Sequence, residues 1–429
     1  MLIVFLTPLS VNLANKDFNV GLSLPSEPLM FGALLLFTFK LLYNKNFDDK
    51  IVKHPVTIAI IFSLFWTFIT SITSEMPMVS FKFLISRLWF IIPFYFVGTQ
   101  MFRNYKNIDR FYWLSIIPIS MVVLYTVYNH AQYDFEHKPA HWVMSPFYND
   151  HTSYGAVLAM FFPAFFLFLK DNYSKTVKFF AGFLMLVFIV GIVFSYTRAA
   201  WLSLAVAAAL GAVYLLKIRL VTLIIITVAV LSLFFAFKSD LVKMLEKNRQ
   251  DSSNNLTEHV QSMSNVSSDA SNLERINRWQ SAMRMFEDKP VFGWGPGTYA
   301  FQYAPYQNSK EKTIISTNAG DAGNAHSEYI GPLAEQGVIG MLAFIAIILC
   351  VYYKSSLLYI RLKDKKKKTL VLVTLLGFTT YVVHGFLNNF LDTDKAAVPF
   401  WGFLAILTAM DIYHSEEDER QLPVAAAKD

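Results

Sequence analysis

Residues 178–217 read KFFAGFLMLVFIVGIVFSYTRAAWLSLAVAAALGAVYLLK. The apolar runs within it, 178–195 and 200–216, each approach the roughly 20 residues that a helix needs to cross the hydrocarbon core of a bilayer. Lys178 and Lys217 mark the two ends, and Tyr196, Thr197 and Arg198 separate the runs. The stretch therefore reads as a helical hairpin through a membrane, with Arg198 at the turn on one face and the lysines on the other.

The same pattern recurs at 27–43, 55–72, 82–101, 111–128, 153–169, 220–237, 336–353, 369–387 and 396–413, and residues 1–14 form a shorter twelfth candidate. Composition agrees: 55% of the 429 residues are hydrophobic, 16% are charged and the mean hydropathy is +0.40, far from a soluble domain. A net charge of +6 and a pI near 9.0 would suit nucleic acid. The basic residues lie between apolar runs, however, as in cytoplasmic loops facing anionic lipid, so membrane lipid is the expected partner and nucleic acid is not. Cys350, the single cysteine, lies in an apolar run, which excludes an intrachain disulfide and a cysteine-rich metal site. Met1 to Leu6 lack a preceding basic region and do not read as a cleaved signal peptide.

Basic residues mark alternate loops: Lys45, Lys50 and Lys53, then Arg103, Lys106 and Arg110, then Lys170 and Lys175, then Lys217 and Arg219, and finally Lys354, Arg361, Lys363 and Lys365 to Lys368. The intervening loops are basic-poor. This alternation places Arg198, the loop from Lys238 to about Gly331, and Asn388 to Lys395 together on the outer side, with both termini cytoplasmic if the first segment spans. The expected division is an N-terminal membrane bundle over 1–237, an outer loop over 238–331, membrane helices over 332–413 and a cytoplasmic tail over 414–429. An outer loop of about ninety residues is too long for a plain connection.

Inside that loop, 251–272 is rich in Ser and Asn and reads as flexible or loosely helical, its sequons at Asn255 and Asn265 being chance matches. Leu273, Ile276, Trp279, Met283 and Phe286 recur at helical spacing. They predict an amphipathic helix, capped by Asn272 and ending before Pro290, with Arg275 and Arg278 one turn apart. Gly293-Trp294-Gly295-Pro296-Gly297 follows, a hinge or glycan-contacting turn on one reading and a plain bend on the other. Asn324-Ala325-His326-Ser327-Glu328-Tyr329, continuing to Glu335, Gly337 and Gly340, then puts a histidine and two carboxylates where the loop re-enters an apolar helix.

Each polar residue has an ordinary explanation. Arg198 can snorkel, Arg275 and Arg278 can be solvated charges on a surface helix, and His326 can be a structural loop histidine. Lys82 and Arg87 either line a polar cavity or snorkel, and His384 with Asn388, Asn389, Asp392 and Asp394 fits interfacial solvation. The combination points further. Guanidinium groups bind phosphate bidentately and keep their charge, a histidine accepts a proton near neutrality, and no HExxH-like spacing is present. Together these suit displacement of a phosphate or diphosphate by a hydroxyl without a metal or cofactor. On an outer face the donor must arrive activated, as on a lipid carrier.

Three segments carry a resemblance. Ser195-Tyr196-Thr197-Arg198-Ala199-Ala200-Trp201 resembles the Ser-x-[Ser/Thr]-Arg-small-small segment of the O-antigen ligase and polymerase family. Arg275-Ile276-Asn277-Arg278-Trp279 and Pro290 to Gly297 are similar to its Arg-x3-Trp and Pro-x-x-Gly-x-Gly-x-Gly region, and His326 to Gly340 to its histidine-glutamate-glycine signature. Ser327 stands where that family usually has asparagine.

The resemblance implies an all-α, polytopic membrane bundle of about twelve helices, GT-C-like, with a helical periplasmic subdomain, in the bacterial inner membrane. It implies a metal-independent, inverting glycosyltransferase that moves a glycan from undecaprenyl diphosphate to a hydroxyl in the periplasm. Arg198 and Arg275 would hold the diphosphate, with Arg278 assisting and Arg87 also on the substrate. His326 would take the acceptor proton, with Glu328 beside it. A ligase would use the sugar core of lipid A as acceptor, a polymerase a growing lipid-linked glycan and a protein ligase a protein hydroxyl, all by the same chemistry. Outside enzymes, a transporter is the competing class.

Overall fold

The computed structural model describes residues 1–15, 20–44, 47–170, 173–218, 270–309 and 323–415. A short helix, α1 (Leu2–Leu6), leads into two antiparallel strands, β1 (Val11–Asn15) and β2 (Val20–Leu24), in register Val11 to Leu24. Helices follow: α2 (Ser26–Asn44), α3 (Pro55–Ile72), α4 (Pro77–Ile91), α5 (Lys106–Ala131), α6 (His151–Phe161), α7 (Lys175–Phe194) and α8 (Arg198–Leu215). The chain continues in α9 (Ala270–Asp288), α10 (Ile330–Arg361), α11 (Lys365–His384) and α12 (Asp394–Ala409). Among the described residues nine helical segments are long and apolar enough to cross a membrane, so this is a mostly helical multi-pass protein.

Which helices face lipid follows from exposure. In α3, Ile58, Ile61, Phe65, Phe68 and Ile72 recur at helical spacing and are all exposed, a stripe that only an apolar surrounding accommodates. Almost all of the segment from Asp394 to His414 is buried, and α11 packs against α8, α6 and α12. These two helices form the centre. Tyr112 and Thr374 join α5 to α11 through their hydroxyls at 2.7 Å inside the core, which satisfies two polar groups that burial would otherwise penalise.

Residues 1–14 correct one expectation: they hold a five-residue helix, a 3-10 turn and a strand, not a twelfth span. Polar anchoring explains why. Asp394, buried at the start of α12, accepts from Ser10 Oγ at 2.8 Å and from Ser26 Oγ at 2.5 Å. Lys395 Nζ donates to the carbonyls of Thr7 and Ser10, both at 2.7 Å. Thr7, Ser10 and Ser26 are thereby tied to the end of the bundle where α12 begins. Asp394 is thus a buried clamp and not an interfacial charge. The expected span at 220–237, the segment 251–269 with its sequons, and the acidic tail lie outside the described residues.

Candidate functional site

Four element ends meet at one face. Tyr196 adopts φ +49° in the turn between α7 and α8, and Thr197 Oγ1 donates to the carbonyl of His151 at 2.8 Å. A Cβ on Gly155 would lie 2.7 Å from the Thr197 side chain, so a glycine there lets the beginnings of α6 and α8 close together. Arg198 opens α8 at this junction, and the backbone of the next residue, Ala199, reaches His384 at the end of α11. Arg275 Nε donates to the carbonyl of Leu387 at 3.1 Å, which fixes α9 over that same end. From there Arg275 acts electrostatically on His151, His326 and His384 alike. The structure therefore brings Arg198, Arg275 and His326 to one junction although the sequence separates them widely. α9 itself begins at Ala270, two residues before the expected Asn272 cap.

His326 is held by its backbone. It sits at φ +47°, its N–H donates to Asn324 Oδ1 at 3.0 Å, and Ser327 Oγ accepts from the N–H groups of Tyr329 and Ile330 at 3.3 Å each. Ser327 thus caps the entry to α10, work that asparagine does equally well. Burial first, and then the guanidinium groups of Arg275 and Arg278, lower the His326 imidazole from 6.5 to about 4, with Glu274 and Asp150 opposing. A half-buried ring that resists protonation is neutral at physiological pH and free to accept a proton.

Arg278 is locked internally. It is 5% exposed, its Nε donates to Glu274 Oε1 at 2.7 Å, and its guanidinium lies 4.3 Å from the centre of the Tyr303 ring. It contributes charge toward His326 from behind.

The Glu328 N–H donates to the Gly385 carbonyl beside His384 at 2.8 Å, but the charged groups of Glu328 and Arg87 have their partners elsewhere. Glu328 Oε1 accepts from Tyr381 Oη at 2.6 Å and from the Leu391 N–H at 2.9 Å, while burial raises its carboxyl above the usual range. Arg87 donates to the Leu391 carbonyl and to Asp392 Oδ1, both at 2.8 Å. Both residues line a cavity of about 330 Å³ on the far side of the 324–328 segment. Sequence neighbours two apart on an irregular loop need not point the same way, and here His326 and Glu328 point apart.

The glycine turn is a packed junction and not a hinge. Gly293, Gly295 and Gly297 all have positive φ, and the turn docks on a break in α10, where Gly337 takes φ +69°, ψ −172°. Trp294 N–H donates to the Ala334 carbonyl at 3.2 Å, Gly295 N–H to the Glu335 carbonyl at 2.8 Å and Val338 N–H to the Pro290 carbonyl at 3.0 Å. Glu335 Oε1 accepts from the Tyr299 N–H at 2.9 Å.

Residues 181–345 match the family described as O-antigen ligase. Over those residues the chain is similar to the O-antigen ligase family, which supports membership of it. An uncharacterized protein of Haemophilus influenzae is 25% identical over 198 residues, covering 42% of this chain and 44% of that protein. The chain thus spans less than half of this relative's length. The ligase-family segment contains Arg198, Arg275, Arg278 and His326 and ends five residues after Gly340.

Three groups at this site escape a reading of its motifs. Asp150 caps α6, accepting from the N–H groups of Thr152 and Ser153 at 2.8 Å each. His151 follows it, with the His141 ring centre 4.2 Å away. His384 is 1% exposed, its Nε2 3.1 Å from Asn388 Nδ2, buried where interfacial solvation was expected. The one sequence signal was the run of histidines at 137, 141 and 151 in a basic-poor outer loop.

Proposed function

We propose that this chain is an O-antigen ligase: it moves a glycan as one block from undecaprenyl diphosphate to a sugar hydroxyl of lipid A-core, with inversion, at the periplasmic face of the bacterial inner membrane. What supports the reading most is His326, held neutral by burial beside Arg275 and Arg278 at the junction where Arg198 begins α8.

The acceptor oxygen attacks the anomeric carbon from the face opposite the diphosphate. The bond from that carbon to the phosphate oxygen breaks, its electron pair leaves with the diphosphate, and the hydroxyl proton passes to His326. Arg275 and Arg198 hold the diphosphate and stabilise the charge that grows on its bridging oxygen. Arg278, buried against Glu274, adds field without direct contact. The donor also prepares the base, because a bound diphosphate offsets the arginine charges that depress His326 and so strengthens the imidazole when it is needed. No metal ion enters this scheme.

Purified protein in detergent with EDTA tests it. His326→Ala, Arg275→Ala and Arg198→Ala, each shown to be folded and inserted, should lose transfer by ~10²-fold or more; full activity in all three overturns the assignment. Deleting the gene in its host checks the acceptor. Unligated lipid-linked polymer marks a ligase, whereas single repeats left on the core mark a polymerase.

A further inference from the structure

The turn that follows α9 carries an apolar tip. Pro290, Val291 and Phe292 are all exposed, the last two at 46% and 44%, and none of the three has a polar side chain. Facing water, a patch of this kind is a liability. The Phe292 ring, however, stacks on Trp66 of α3, with the ring centres 5.6 Å apart and the planes 13° from parallel. Trp66 lies six residues before the end of α3 at Ile72, ~9 Å down the helix axis at ~1.5 Å per residue. That end leads into the basic-poor loop and so marks the outer side. With 18 residues, α3 is just long enough to cross most of the ~30 Å hydrocarbon core, which sets Trp66 within the outer leaflet. Phe62, one turn further down the same face, is also exposed, so the tip continues the lipid-facing surface of α3.

Irregular backbone persists at membrane depth only where the protein itself pairs the polar groups. The contacts at the turn meet that demand. The break in α10 at Gly337 frees carbonyls, and those of Ala334 and Glu335 accept from the N–H groups of Trp294 and Gly295 at 3.2 and 2.8 Å. The Gln336 carbonyl accepts from Trp66 Nε1 at 2.8 Å, and Gln336 Oε1 accepts from Thr67 Oγ1 at 2.9 Å. On the turn, the Pro290 carbonyl accepts from the Val338 N–H at 3.0 Å and the Lys289 carbonyl from the Gly293 N–H at 3.1 Å. The boundary with water is marked too. Lys289 reaches to Glu75, in the loop beyond the end of α3, and its ammonium lies 4.2 Å from the centre of the Trp294 ring. A lysine that extends to the headgroups beside a tryptophan is the usual furniture of a membrane interface.

We infer that Pro290 to Phe292 form a re-entrant tip sunk among the acyl chains of the outer leaflet, with lipid hydrocarbon as its partner and with Lys289, Glu75 and Trp294 holding it at headgroup level. This part of the large loop belongs to the membrane and not to the water beyond it. The inference stands apart from the transferase reading, since it rests on depth and pairing alone.

The full chain in phospholipid nanodiscs tests it. Cys350→Ser removes the single native thiol, and Val291→Cys, Phe292→Cys, Phe65→Cys and Glu287→Cys, each in that background, take a nitroxide label. Molecular oxygen concentrates in hydrocarbon and a nickel chelate stays in water, so the ratio of the two collision rates reads depth. At Val291 and Phe292 the ratio should match that at Phe65, on the lipid face of α3, and exceed several-fold that at Glu287, exposed on α9. Phe292→Cys dissolves the stack on Trp66 and can displace the tip, whereas Val291→Cys leaves the stack in place. A ratio at Val291 equal to that at Glu287 therefore overturns the inference whatever Phe292 reads. A second readout needs no label. Phe292→Asp should melt well below Phe292→Ala in nanodiscs, because hydrocarbon penalises the carboxylate; equal melting temperatures would put the tip in water.

Discussion

Arg275 lies close enough to His326 to help burial hold the imidazole down at about 4, while its own Nε is tied to the carbonyl of Leu387 at 3.1 Å. A base kept this weak in the free protein has consequences for pH. Transfer requires the neutral ring, so kcat/KM should be flat through neutrality and fall only as the pH approaches about 4. In the donor complex the diphosphate offsets Arg275, so the acid limb of kcat should lie at higher pH than that of kcat/KM. Coincident limbs would remove His326 as the proton acceptor beside the diphosphate. Stability carries the same sign: between 6.5 and about 4 the unfolded chain takes up a proton that the folded site refuses, so the protein should lose stability as the pH falls through that window.

Arg275 and Arg278 should separate by what they disturb. Removing Arg278 takes away the buried ion pair to Glu274, a charged hydrogen bond whose loss should cost ~1.5–3 kcal/mol of stability. Arg278→Lys should recover only part of this, because an ammonium matches neither the Glu274 contact nor the Tyr303 ring geometry. Arg275→Ala should change the melting temperature far less and turnover far more. Paired thermal unfolding and initial-rate measurements distinguish the two, and equal losses of stability would refute the division.

Glu328 offers a sharper contrast. Its Oε1 accepts two buried hydrogen bonds, from Tyr381 Oη and the Leu391 N–H, so Glu328→Ala should destabilise the protein by ~1–3 kcal/mol for each donor left unpaired. Glu328→Gln keeps an acceptor oxygen in place and should retain most of the stability and turnover. If Glu328 instead assisted His326 directly, Gln and Ala would impair turnover equally at unchanged melting temperature.

Length and hydropathy were enough to mark the membrane helices, since an apolar run of roughly 20 residues has few other uses. Residues 1–14 were not legible because their apolar run does not reveal that Ser10, Ser26 and Asp394 form a buried clamp. Within the site, helical spacing put Arg275 and Arg278 one turn apart on one helix, and the resemblance, not spacing, singled out His326. The split between His326 and Glu328 was not legible, because it depends on φ +47° at His326, which no side-chain pattern reports. His384 and Asp150 required the packing of α11 and α6 against α8. The glycines at 293–297 and 337 were visible as permissive positions, but that they face one another was not.

That junction carries the last prediction. A Cβ on Gly337 would lie 2.1 Å from the Val291 carbonyl oxygen, and one on Gly293 would lie 2.3 Å from the Glu335 carbonyl carbon. Both clashes are with backbone, which cannot rotate aside, and Gly337 also occupies a backbone region that is essentially restricted to glycine. Gly337→Ala and Gly293→Ala should each therefore destabilise the protein by at least ~2 kcal/mol. Because each forces apart the same two backbones, the losses should be less than additive in the double variant. Through Glu335, whose Oε1 accepts from the Tyr299 N–H at 2.9 Å, the disturbance passes to Tyr299, whose hydroxyl donates to the Arg278 carbonyl at 2.7 Å. Turnover should accordingly fall in either variant even at temperatures where it stays folded. A hinge would behave otherwise: stiffening it with alanine would slow turnover while leaving the melting temperature unchanged or raised. Thermal unfolding of Gly337→Ala beside its initial rate decides between a packed junction and a hinge.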